Sequence, residues 1–216
     1  MIPHVFYIVL ILVNIWCMLV RFRLNQKNAA SIVILGYKGA GKTTLWKQLK
    51  GDTLQEIRTT LMNEDVDSFS FEYKGSEKRI LKSKDFSGDD NVLASEAFEH
   101  HIYEIIQDGT YIYYLINLNK LGENGFVEDT LARIEKITSI IKKKKIKNSK
   151  VGIKLVGTHL KEYLSDNPEK SETEALSNMI SKLSLAKNKY NIDDKFMVAE
   201  LTDRKYIDQF YKQIMG

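Results

Sequence analysis

Ser31-Ile32-Val33-Ile34-Leu35-Gly36-Tyr37-Lys38-Gly39-Ala40-Gly41-Lys42-Thr43-Thr44 decides how this chain is read. It opens with an unbroken apolar run, which predicts a strand buried on both faces. It continues as Gly-x-x-x-x-Gly-Lys-Thr, the spacing of a phosphate-binding loop. It then enters a helix over 42–50, with Leu45, Trp46 and Leu49 on one side and Gly51 as the stop. Glycines let the backbone curl until its amide N–H groups point into the loop. Those donors, with the positive end of the following helix, make a cradle for the phosphates of a nucleoside triphosphate. Gly36, Lys38, Gly39, Ala40, Gly41, Lys42, Thr43 and Thr44 are the candidate phosphate contacts. Lys42 is placed to neutralise the β- and γ-phosphates and Thr43 to ligate Mg²⁺ through its hydroxyl. A chance glycine-rich turn is the bland alternative. The strand before the loop and the helix after it count against that.

Downstream, Phe69, Phe71 and Tyr73 alternate, a turn follows at Lys74-Gly75-Ser76, and Arg79 to Phe86 reads as a returning strand. Helical periodicity follows over 89–108. Strand-forming runs over 110–118, 151–156 and 196–201 alternate with helical stretches over 125–145, 171–190 and 202–215. Ser171 and Glu174 suggest a capping box. Strands alternating with helices predict an α/β fold with a six-stranded, mainly parallel sheet, one antiparallel edge strand and about five helices.

The amino terminus departs from this pattern. Ile2 to Val20 contains no Asp, Glu, Lys or Arg, and its length is close to the ~20 residues that span a bilayer as a helix. Arg21, Arg23 and Lys27 follow it. A cleaved leader would carry its basic residues before the apolar run. A buried core helix is the bland reading of a run that is hydrophobic all round. The expected organisation is a transmembrane anchor over 1–23, a short linker over 24–30 and a P-loop nucleotide-binding domain over 31–216. The positive-inside rule puts that domain on the cytoplasmic side of a single-pass membrane protein, in contact with membrane lipid.

The bulk composition excludes several classes. Cys17 is the only cysteine, so neither an intramolecular disulfide nor a cysteine-based zinc cluster is available. The four histidines make no ligand pattern, and a net charge of +4 does not argue for nucleic acid. Lys142 to Lys145 form a basic run that reads as a solvated helix end or a contact for anionic lipid.

The stretch Ile32 to Leu49 (IVILGYKGAGKTTLWKQL) resembles the opening of small P-loop GTPases of the Ras/Arf-like superfamily. Within them it is similar to the Arf/Sar type and to the membrane-anchored β subunit of the signal recognition particle receptor. The resemblance implies the P-loop GTPase fold, guanine nucleotide (GTP/GDP) with Mg²⁺, and a protein effector or receptor partner. It implies a switch threonine, for which Thr60 is preferred over Thr59. It also implies a D-x-x-G motif, matched by Asp85-Phe86-Ser87-Gly88, with Asp85 toward Mg²⁺ and Gly88 toward the γ-phosphate.

Two departures follow. Asp89 stands where the family has a glutamine that orients the attacking water, which implies slow or partner-dependent hydrolysis. Thr158 and His159 replace the Asn-Lys of the base motif, as in Roc-type GTPases. Lys161 replaces its guanine-reading aspartate and can only donate. Glu162 offers a substitute carboxylate one residue on, and Thr202, in the turn 200–203, occupies the place of a third base contact. A nucleotide-dependent docking module, or a P-loop protein with relaxed base choice that uses ATP, fits the same residues. A kinase usually carries an arginine-bearing lid, and no arginine lies between Asp85 and Tyr111.

Overall fold

In a computed structural model of the 216-residue chain, residues 11–18, 29–52, 64–88, 96–107, 109–144, 152–189 and 196–216 are described. The central sheet has six strands. In chain order they are β1 (Ile32–Gly36), β2 (Glu64–Val66), β3 (Ser83–Asp85), β4 (Tyr111–Asn117), β5 (Ile153–Thr158) and β6 (Met197–Val198). Their spatial order is β2-β3-β1-β4-β5-β6. All neighbours are parallel except β2, which runs antiparallel to β3 at the edge. The expected fold class is therefore present, with its antiparallel strand where a hairpin would put it.

The hairpin itself is divided. Phe69–Tyr73 and Ser76–Ile80 pair with each other in a second, three-stranded sheet that Ala29–Ala30 joins in parallel. Val66 faces Ser83 and Phe69 faces Ile80, so one continuous register runs through both sheets. The break lies at 67–68 and 81–82, where the ribbon turns from the central sheet to the smaller one. The edge strand of the central sheet is thus Glu64–Val66 rather than Phe69–Tyr73. Ala29–Ala30, expected in the linker, is sheet.

Six described helices cover the domain: α1 (Lys42–Lys50), α2 (Glu96–Ile105), α3 (Phe126–Lys143), α4 (Leu160–Asp166), α5 (Glu172–Lys189) and α6 (Arg204–Met215). Helices α1 and α6 pack together and against Phe69–Tyr73, while α2 packs on α3 and α3 on α5. The two faces of β4 show why its sequence is apolar throughout. Successive side chains of a strand point to opposite faces. Tyr113 meets the Phe210 ring of α6 at 5.1 Å, and Tyr114 is buried on the other side beside Leu35 and Ile137. Helix α3 repeats the argument in helical period, with Phe126, Ile134, Ile137 and Ile141 buried. Glu128 and Asp129 at its start and Lys142 and Lys143 at its end complement the helix dipole. The capping box at α5 forms: Glu174 accepts from the Ser171 amide at 2.7 Å, and the Ser171 hydroxyl accepts from the Glu174 amide at 3.3 Å.

Among the described residues no helix is long and apolar enough to cross a membrane. Residues 11–18 are helical and exposed throughout, with Leu12, Trp16 and Met18 among the outward apolar side chains. The rest of the expected anchor, 1–10 and 19–23, lies outside the described residues.

Candidate functional site

The phosphate loop lies between β1 and α1, at the carboxyl end of the central strands. Gly36 has φ +145°, and a Cβ there would meet the Leu115 carbonyl oxygen at 2.4 Å. Only glycine leaves room for the chain to exit β1 so close to β4. Gly41 caps α1 in a left-handed conformation, with Leu201 against it. The Tyr37 carbonyl accepts from the Ala40 amide at 3.1 Å and from Lys42 Nζ at 3.0 Å. Lys42 is buried, and its pKa falls to about 8. Burial is the main cause; nearby Asp85 opposes it, and Arg133 adds to it. Lys38 and Gly39 form the exposed tip of the loop, and Ala40 is buried beneath it.

Asp85 reaches this loop from the end of β3. Its Oδ2 accepts from the Thr43 hydroxyl at 2.6 Å, although the two residues are 42 positions apart. A hydroxyl and a buried carboxylate are hard oxygen donors, the set that Mg²⁺ takes. Their juxtaposition fits the expected metal pair. Gly88 lies directly on the loop: a Cβ there would stand 2.1 Å from the Lys38 amide nitrogen. Thr60 and Asp89, the two remaining candidates at this end, lie outside the described residues.

Arg133 was not singled out by the sequence. Its guanidinium sits 3.5 Å from the centre of the Tyr37 ring, and Nη1 donates to the Gly88 carbonyl at 3.4 Å. Tyr37 in turn packs on Phe126 at 4.9 Å. Helix α3 thus holds the phosphate loop and the D-x-x-G turn together. An arginine within a long amphipathic helix gives no hint of this in sequence.

A cavity of about 270 Å³ continues from the other side of the loop. It is lined by Gly41, Thr44, Thr158, His159, Lys161, Glu162, Glu200, Leu201 and Thr202. Its size is just below the roughly 300–1,000 Å³ of small-molecule clefts, enough for part of a nucleotide. The buried Thr158 hydroxyl shares its proton between the carbonyls of Ala40 at 3.0 Å and Ile116 at 3.2 Å. It therefore ties β5 to the phosphate loop. His159 has φ +60°, a conformation uncommon outside glycine, and caps α4. Its Nδ1 lies 3.1 Å from Thr158 Oγ1.

Lys161 and Thr202 line the cavity, but their backbone amides are engaged. Lys161 N donates to Glu200 Oε2 at 3.1 Å, and Thr202 N donates to Glu200 Oε1 at 3.3 Å. The Thr202 N–H is thus directed at the carboxylate two residues before it, inside the turn 200–203. Glu162 is exposed at the start of α4. The structure brings the expected phosphate, metal and base residues to one end of the sheet. Thr60 and Asp89 are outside the described residues.

No protein-family model matches the sequence, and no curated protein is significantly similar to it. Solved structures are similar in fold. The small GTPase Arl6 (BBS3) of Trypanosoma brucei, solved with the nucleotide analogue GppNp, superposes with a TM-score of 0.58 at 13% identity, over 87% of this chain and 95% of its own. Roco2 RocCORdC of Methanosarcina barkeri, bound to GDP, gives 0.52 at 16% identity, over 87% of this chain and 48% of its own. A single-substitution variant of SsGBP gives 0.51 at 14% identity, over 88% and 57%. This chain spans about half the length of the latter two. At these identities the likeness is one of fold: the chain has the α/β fold of small P-loop GTPases.

Proposed function

We propose that this chain is a guanine-nucleotide switch that binds GTP or GDP with Mg²⁺ in the phosphate loop Gly36 to Thr43. The observation that carries the reading is the 2.6 Å contact between Thr43 and Asp85. Two chain segments far apart in sequence deliver a hydroxyl and a carboxylate to one point beside Lys42. That is the local chemistry of a triphosphate–Mg²⁺ site, and the similar fold of nucleotide-bound proteins supports it. Gly36, Lys38, Gly39, Ala40, Gly41 and Thr44 complete the phosphate cradle. Gly88 and Thr60 are assigned to sensing the γ-phosphate, and Asp89 to the water-orienting position. A carboxylate there adds negative charge where the transition state needs positive charge, so hydrolysis is slow without a partner. Thr158, His159, Lys161 and Thr202 surround the base.

Nucleotide state would then order or release the loops bearing Thr60 and Gly88, and change affinity for a protein partner. Anchoring at a membrane, with the domain on the cytoplasmic side, follows from the apolar segment 2–20, the exposed helix within it and the arginines after it. The chain should then stay in the membrane pellet under alkaline wash, and release into the supernatant counts against the anchor. A role in protein targeting rests on the resemblance of Ile32 to Leu49 alone.

Metal removal tests the switch. Chelating Mg²⁺ should weaken triphosphate affinity by at least about tenfold, the value of one strong charge-assisted contact. The substitution Asp85→Asn should make affinity indifferent to Mg²⁺. Triphosphate binding by the unaltered chain that ignores Mg²⁺ would sink the proposal.

A further inference from the structure

Lys161 leaves the base cavity without the carboxylate that its loop position would supply. The cavity nevertheless contains two carboxylates, Glu162 and Glu200. They differ in how they are held. Glu162 is exposed on the first turn of α4. Glu200 is half-buried and fixed by three donors: Lys161 N at 3.1 Å on Oε2, and on Oε1 the Thr202 hydroxyl at 2.7 Å and Thr202 N at 3.3 Å. Burial alone would favour the neutral acid, but hydrogen bonds from Thr202 and the Lys161 amide outweigh it and hold the group below the usual glutamate range. Glu200 is therefore a pre-positioned anion on the cavity wall. Its oxygens together offer about four lone-pair sites. Oε2 carries one donor, and on Oε1 the Thr202 hydroxyl is a rotor that can turn away.

We infer that Glu200 reads the base in place of the carboxylate missing at position 161, accepting from the imino N–H and the exocyclic amine of guanine. The inference rests on the nucleotide reading above and adds the residue that sets its base choice. The replacement comes from a loop 39 residues further along the chain, in direct contact with position 161. The Lys161 amide braces it, so position 161 serves through its backbone rather than its side chain. Adenine presents an acceptor where guanine presents its imino N–H. Facing a carboxylate, that lone pair is repelled, so selection has a repulsive element as well as an attractive one.

Displacement of a fluorescent GTP analogue from the full chain with Mg²⁺, by GTP, ITP and XTP, tests this. ITP lacks the 2-amino group, so it should compete roughly tenfold less well than GTP, the value of one buried hydrogen bond to a charged acceptor. XTP carries an oxygen there and should be weaker still. The substitution Glu200→Gln places an amide N–H₂ opposite that oxygen. It should cost GTP roughly tenfold to a hundredfold and make XTP the better ligand. The ITP comparison needs no variant, so it holds even if Glu200→Gln folds poorly. Equal competition by GTP and ITP, or a GTP-to-XTP ratio unmoved by Glu200→Gln, overturns the inference while leaving triphosphate binding intact. A reversal seen with Glu162→Gln instead also overturns it. Failure of every triphosphate to bind overturns the nucleotide reading itself, and this inference with it.

Discussion

Lys42→Ala should lower affinity for a Mg²⁺-bound triphosphate by about tenfold to a hundredfold and leave the domain folded. The lysine is buried, with its ammonium on the Tyr37 carbonyl inside the loop. A charge-assisted contact of this kind contributes about 1.5–3 kcal/mol, and its upper end is about a hundredfold in affinity. Folding should not suffer, because a buried ammonium opposes it. The folded pKa of about 8 lies below the ordinary 10.5. The charged lysine therefore weakens the fold below pH 8, and that cost is relieved as pH rises from 8 to 10.5. Binding runs the other way. Phosphate keeps Lys42 protonated, so affinity should be flat below about pH 7 and fall by up to about tenfold per pH unit above pH 8. Fluorescence titrations across that range should show this slope in the unaltered chain and none in Lys42→Ala. A Lys42→Ala variant that binds normally removes the loop from the mechanism.

Gly36→Ala should cost the fold about 3 kcal/mol or more. The position has φ +145°, which L-residues rarely adopt, and a Cβ would lie 2.4 Å from the Leu115 oxygen. Gly36 and Leu115 face each other across the two central parallel strands. Neither strand can retreat, because Leu35 and Leu115 are buried in the core. Overpacking costs about 1–3 kcal/mol and the backbone strain a further 1–3. Against a typical total of about 5–15 kcal/mol, the shift in urea midpoint should be plain. An unchanged midpoint would mean that the two strands do not meet as described.

The loop and its surroundings were legible because their signals are local. The apolar run, the glycine spacing and the α1 pattern sit within about twenty residues, and the strand–helix alternation carries on from there. Asp85 was legible for another reason: its motif lies at a strand end, and parallel strands deliver their ends to one edge. The base cavity was legible by position, through Thr158 to Glu162 and the turn 200–203, but the link within its wall was not. Lys161 joins Glu200 there, a contact between the first turn of α4 and a loop that no periodicity encodes. Helix α4 was missed because seven residues are too few to show a helical period. The last strand was read too long, over 196–201, because Ala199 and Leu201 are apolar. They are buried in a loop, with Leu201 against Gly41, rather than in the sheet. The hairpin was read as one strand pair because its register is continuous, and only the turn between two sheets divides it.

The most direct test of the central claim is competition between GTP and ATP for the full chain, held in detergent micelles with Mg²⁺ and followed by displacement of a fluorescent GTP analogue. The account predicts displacement by GTP at a concentration at least about tenfold below that needed for ATP, since adenine places a lone pair against Glu200. Equal displacement by both would contradict guanine selection at this site. Displacement by neither would contradict nucleotide binding altogether.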